Sequence, residues 1–265
     1  MIRSILDWPP ILSALVFVVA VVVLALASYA AMRALAGHYD YDERKDLAGS
    51  VIFRVSALHG LILALVFAQE IANLIEADRT AAREAVVVAD TFFDLERYDV
   101  EATGAIRQAL ADYTARVVAV EWGTLARDKS LDMGAWDDWE AAYHGALDLE
   151  PATRRQEYLH ALILDNIREI SGLRMTREND ARRGTQPLFL VAALVGIVLT
   201  AASYFTYEPH RLSLGLMAIF AAYTGLVVYV IVTFANPFHA PGMVQPVGFE
   251  RLLEGEIGEM VGPDA

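Results

Sequence analysis

Four apolar runs decide what this chain can fold into. Residues 10–32, 51–68, 187–206 and 212–235 carry between them a single charged side chain, Arg54. Each approaches or exceeds the roughly 20 residues that cross a ~30 Å hydrocarbon core as a helix rising ~1.5 Å per residue. A chain that is 56% hydrophobic and 21% charged must keep the two kinds of residue apart in sequence, and here it does. The expected fold class is therefore all-α, with four transmembrane helices and a helical cytoplasmic domain between the second and third spans.

The expected layout follows the runs. A first transmembrane helix and loop fill residues 1–50, and a second transmembrane helix that continues into the soluble domain fills 51–98. The helical domain covers 99–186, the third and fourth spans form a hairpin over 187–238, and a tail covers 239–265. The first run follows Arg3 and contains Ala25-Leu26-Ala27, which looks like a cleavage site. It is nevertheless longer than the ~7–15 residues of a signal-peptide core, so it reads as a span.

Within this layout the details are local. Trp8-Pro9-Pro10 opens the first span at interface depth, and Gly37–Ser50 reads as an exposed connection. No Pro lies between Pro10 and Pro151, so the second span is expected to leave the bilayer as one helix, to about Val88. Further helices are expected over 102–127, over 137–147 behind Trp136 and Trp139, and from Pro151 to about Arg183. In the last of these Leu159, Ile163, Ile167, Ile170 and Arg174 make one stripe. Gly184 and Pro187 break it. The tail, rich in Pro, Gly and Glu, is expected to be extended or only locally ordered.

Charge excludes some functions. The net charge is −13, and residues 76–183 hold 22 acids against 14 bases, so no nucleic-acid partner is expected. With no Cys there is no disulfide, thiolate ligand or thiol nucleophile. The six histidines are scattered, and Glu157 with His160 is a lone i, i+3 pair that a di-metal site would need twice. Phosphate-binding loops, nucleophile elbows and zinc-protease signatures are absent from the sequence, so no enzyme activity, cofactor or metal is expected. Glu121-Trp122 with Trp136 and Trp139 reads either as a domain interface or as core aromatics with one polar edge each.

One constellation stands out. Placed at ~100° per residue, His59, Ile62, Val66, Gln69, Asn73, Glu76, Thr80 and Glu84 share about a third of the second helix's circumference. Polar groups at membrane depth normally face a bundle interior or a water-filled path. The first seven are the candidate pore-lining residues, with Ile62 and Val66 as an apolar constriction beside Gln69, Asn73 and Glu76. The same stripe would also serve as the face on which the second span packs against the others.

Four segments together give a family resemblance: HGLILALVFAQEIANLIEADRTAAREAVVVADTFFDL, ALADYTARVVAVEWGTL, the apolar hairpin of the last two spans, and Asn236-Pro237-Phe238. The chain resembles the bestrophin-like family of bacterial membrane proteins, named for their similarity to bestrophin ion channels. The resemblance implies a four-span subunit assembled around an axis lined by the second span, a pentamer by analogy with bestrophin anion channels. It also implies that Arg83-Glu84-Ala85, Glu121-Trp122 and Pro237-Phe238 are framework positions. The tail's Glu250, Glu254, Glu256 and Glu259 offer no recognisable calcium loop. The stripe lacks the aromatic neck of bestrophins, and Glu76 would favour cations.

Two functions are therefore carried forward. One is a homo-oligomeric ion channel, with the lipid bilayer and inorganic ions as partners. The other is a non-conducting scaffold or signalling subunit whose helical domain binds a partner. Counting Arg3, Arg79, Arg83, Arg174, Arg177, Arg182, Arg183 and Arg251 on one side against Arg33, Arg44, Lys45, Arg54 and Arg211 on the other places both termini and the domain in the cytoplasm, with the spans in the inner membrane.

Overall fold

The computed structural model describes residues 5–6, 8–37, 45–184, 187–240 and 243–262. Among these the regular structure is entirely helical. Helices α1 (Pro10–Ala36), α2 (Lys45–Tyr98), α7 (Pro187–Ser203, prolonged by a 3₁₀ turn to Thr206) and α8 (Arg211–Phe234) contain the four apolar runs. Between α2 and α7 lie α3 (Gly104–Arg116), a π-helical turn (Val117–Glu121), α4 (Trp122–Arg127), α5 (Met133–Leu147) and α6 (Arg154–Arg183). Short helices α9 (Val247–Leu253) and α10 (Glu256–Glu259) close the chain.

Two compact units result, Met1–Ala72 with Thr185–Ala235, and Asn73–Gly184 with Asn236–Ala265. The second unit thus takes in the latter half of α2 and the tail as well as the expected domain. The 54 residues of α2 are roughly 80 Å of helix at ~1.5 Å per residue, far more than a bilayer core needs.

In the first unit α1 packs along α7 and α8. Val21, Ala25 and Tyr29 meet Ile197, Ala201, Met217 and Ala221 in one cluster. Leu63 and Val66 of α2 meet Ala193, Val228 and Ile231 in another. Hydrophobic attraction between helices is weak in lipid, so close approach must come from small residues. Gly225 is one: a Cβ there would lie 2.9 Å from the Val18 Cα and 3.1 Å from the Phe17 carbonyl. At one end of the hairpin, Arg33 Nη1 donates to the carbonyls of Phe205 (3.2 Å) and Tyr207 (2.9 Å), and Tyr29 donates to Tyr207 at 2.8 Å. These bonds satisfy carbonyls left open where the third span ends.

In the second unit Ala77, Ala81, Ala85, Val88 and Leu95 of α2 share one core with Leu110, Tyr113 and Val117, with Ile163, Ile167 and Ile170, and with Phe238 and Phe249. Several element limits differ from expectation, each for a local reason. Helix α6 starts at Arg154 rather than Pro151, because Thr153 and Gln156 form a capping box. Helix α5 starts at Met133, because the Asp132 carboxylate caps the Ala135 N–H at 3.0 Å. Helix α2 begins at Lys45, inside the stretch expected to be a connection, whose residues 38–44 lie outside the described residues. The tail, expected to be extended or only locally ordered, forms the two short helices α9 and α10, each anchored by a buried side chain, Phe249 and Ile257.

Candidate functional site

Helix α2 has two opposed faces. One is buried within the chain: His59, Leu63, Val66, Glu70, Ala77, Ala81, Glu84 and Val88. On the other lie Leu58, Leu61, Leu65, Ala68, Ala72, Ile75, Arg79, Ala82 and Val86, spaced alternately three and four residues apart, and all are exposed. That alternation is a 3.5-residue repeat, the period found in helix seams. Leu58 to Leu65 fall in the apolar run of α2, whereas Ile75 and Val86, 46% and 58% exposed, belong to the second unit.

The expected stripe lies between these faces and is divided by them. His59, Val66 and Thr80 are buried, Ile62 and Asn73 half-buried, and Gln69 and Glu76 exposed. The buried members face their own subunit because α2 turns that side toward α7, α8 and the core of the second unit. His59 is the tightest fit. A Cβ at Gly196 would stand 2.1 Å from its Nδ1, its ring lies 6.2 Å from that of Phe220, and neither ring nitrogen has a hydrogen-bond partner among the described residues. Beside it an apolar groove of about 340 Å³ runs between α2 and α8, lined by Gly60, Ala64, Phe67, Tyr223 and Val227 among others.

The second unit holds a fully buried charge cluster that the sequence reading did not assemble. Arg177 donates to Glu84 (Nε to Oε2, 2.6 Å; Nη2 to Oε1, 2.9 Å) and to Glu121 (Nη2 to Oε1, 2.8 Å). Arg174 holds the other side of Glu121, and the Tyr113 hydroxyl donates to Glu84. All five side chains are buried. Two guanidinium groups against two carboxylates balance the charge, which is the condition for keeping ions out of water. The guanidinium faces lie over rings, Arg174 over Trp136 at 4.9 Å and Arg177 over Trp122 at 5.2 Å.

Burial pushes the Glu121 carboxyl up, but Arg177 beside it and the hydrogen bond from Arg174 hold it below its ordinary value. The Tyr113 hydroxyl is held well above its ordinary range by burial and by Glu84. The π turn carries Glu121 into this cluster, since one extra residue per turn resets which side chains point inward. One signal was legible: Arg174 continues the apolar stripe of α6, and a charge in that register has to be paired inside. It also means that Arg174 and Arg177, two of the eight arginines counted for orientation, are neutralised within the fold.

The remaining motif residues build the frame around the cluster. Trp122 donates to the Val244 carbonyl (2.8 Å) and packs edge-on against Phe238, and Trp139 donates to the Ile167 carbonyl (2.8 Å). Each is a core aromatic with one satisfied polar edge. Asn236 donates to the carbonyls of Leu125 and Ala126 at the end of α4 and accepts from the Phe238 N–H. The Asn-Pro-Phe motif therefore closes one helix while seating Phe238 in the core.

Compared with known proteins, the chain matches the model of the Bestrophin-like domain over residues 16–249. No curated protein and no solved structure matches it.

Proposed function

The chain belongs to the bestrophin-like family, and on that premise we propose that it is a homo-oligomeric ion channel of the inner membrane in which α2 of each copy lines the conduction path. The observation that carries the reading is the outward face of α2, where apolar and small side chains in a 3.5-residue repeat stay exposed on a single copy from Leu58 to Val86. Repeated around an axis, as the resemblance to pentameric bestrophins implies, Leu58, Leu61 and Leu65 give apolar rings and Arg79 a cationic one, with Gln69 and Glu76 on the flank. Apolar rings of this kind gate by dewetting, and charged rings select ions. His59, Val66 and Thr80 then support the lining helix rather than line the path. The arginine distribution favours cytoplasmic termini and a cytoplasmic second unit.

Potassium and chloride flux from liposomes tests the proposal. Wild type is compared with Leu65→Ala, Ile62→Ala and Arg79→Glu. The channel reading expects flux that rises with Leu65→Ala more than with Ile62→Ala, and a reversal potential that moves toward cations with Arg79→Glu. Folded, oligomeric protein that passes neither ion would overturn it. The scaffold reading would then lead, with Tyr158 and Leu162, exposed on α6, as the surface for a partner.

A further inference from the structure

Glu76 and Thr80 lie one turn apart on α2, and the next position on that face, Glu84, is bound by Arg177 of α6. The two helices run antiparallel: Gln156 near the start of α6 donates to the Tyr98 carbonyl at the end of α2 (3.4 Å), and Arg177 near the end of α6 pairs with Glu84. One turn beyond Arg177 on α6, Asp180 therefore comes level with Thr80 and Glu76 on α2.

Asp180 has no adequate partner there. It is 7% exposed, and its Oδ2 has no hydrogen-bond partner among the described residues. Its one ion pair among the described residues is a long one, Arg183 Nη1 to Oδ1 at 3.8 Å, made by a side chain that is 59% exposed. Burial holds its carboxyl above the ordinary range and Glu76 adds to this, with Arg183 opposing. A buried carboxylate oxygen with an unused lone pair is costly unless something neutralises it.

We infer that Asp180, Glu76 and Thr80 form a site for a hydrated, hard divalent cation. The donors are all oxygens, two carboxylates and a hydroxyl, which suits calcium or magnesium and not a soft metal. Two carboxylates are fewer than a dedicated cage provides, so water completes the coordination. Glu76 is exposed and gives the ion its way in, and the exposed Arg183 swings aside as the cation takes its place. The site lies within one subunit and does not depend on the chain being a channel.

Calorimetric titration of the purified full-length protein with calcium chloride, and separately with magnesium chloride, tests this together with thermal unfolding. The expected result is one cation per chain and a melting temperature that rises with cation. Asp180→Asn and Glu76→Gln should each weaken binding at least tenfold, and Glu254→Gln on the tail should leave it unchanged. Asp180→Asn should also melt higher than wild type in the absence of cation near neutral pH, which shows that it is folded. No uptake by wild type, equal binding by Asp180→Asn, or an equal loss with Glu254→Gln would each overturn the site.

Discussion

Arg177 is the residue on which the second unit's buried charge turns, because it bridges Glu84 and Glu121. Arg177→Met leaves Glu84 without its guanidinium partner and Glu121 with Arg174 alone, and should destabilise the protein by about 3–5 kcal/mol at neutral pH. The sign with pH follows from Glu121. Its carboxyl is held below the ordinary value, so its contribution is present above the unfolded carboxylate range, roughly 4, and is lost as pH falls through the lower folded value. The gap between wild type and Arg177→Met in urea midpoint should therefore narrow as pH drops below 4 or so. A gap that stays constant would mean that lost packing, not charge, sets the cost. Gly196 offers a second test. Gly196→Ala drives a methyl into the His59 ring and should lower stability by roughly 1–3 kcal/mol, as overpacking does. Adding His59→Ala should restore much of it, and a double variant no better than the single would refute the contact.

At the scale of elements, α6 is set by its ends. Thr153 and Gln156 close its first turn, and Thr153→Ala should cost about 1 kcal/mol in chemical denaturation, with Thr153→Ser close to wild type. The start of this helix was misplaced by three residues in the sequence because Pro151 is also a good opening residue, and only the reciprocal hydrogen bonds choose between them. The apolar runs themselves were legible, since periodicity and length suffice for a span. The π turn was not: a single-residue change of register has no composition, yet it is what brings Glu121 to Arg174 and Arg177. The burial of Phe238 and Phe249 was not legible for a related reason, because both stand among turn formers and acquire their place only from the core they enter.

For the whole molecule, the outward face of α2 is where copies should meet. The chain has no Cys, so a single introduced thiol reports contacts cleanly. Ala72→Cys, exposed on the seam, should give disulfide-linked dimers in membranes under mild oxidant, whereas Ala77→Cys, fully buried, should not. Cross-linking at neither position would remove the seam from the assembly.

The sequence by itself determined the four long apolar helices and the helical class, because these depend on length, hydropathy and local periodicity, and its motifs carried the family. The family resemblance implied that Arg83-Glu84-Ala85, Glu121-Trp122 and Pro237-Phe238 are framework positions. Which side of α2 faces inward was decided only by the tertiary structure. Helical spacing narrows the faces to a few, but polar residues such as His59 and Thr80 satisfy it whether they look toward a path or toward their own subunit. Packing against Gly196 and the core of the second unit settles that, and those contacts join residues that are distant in the chain.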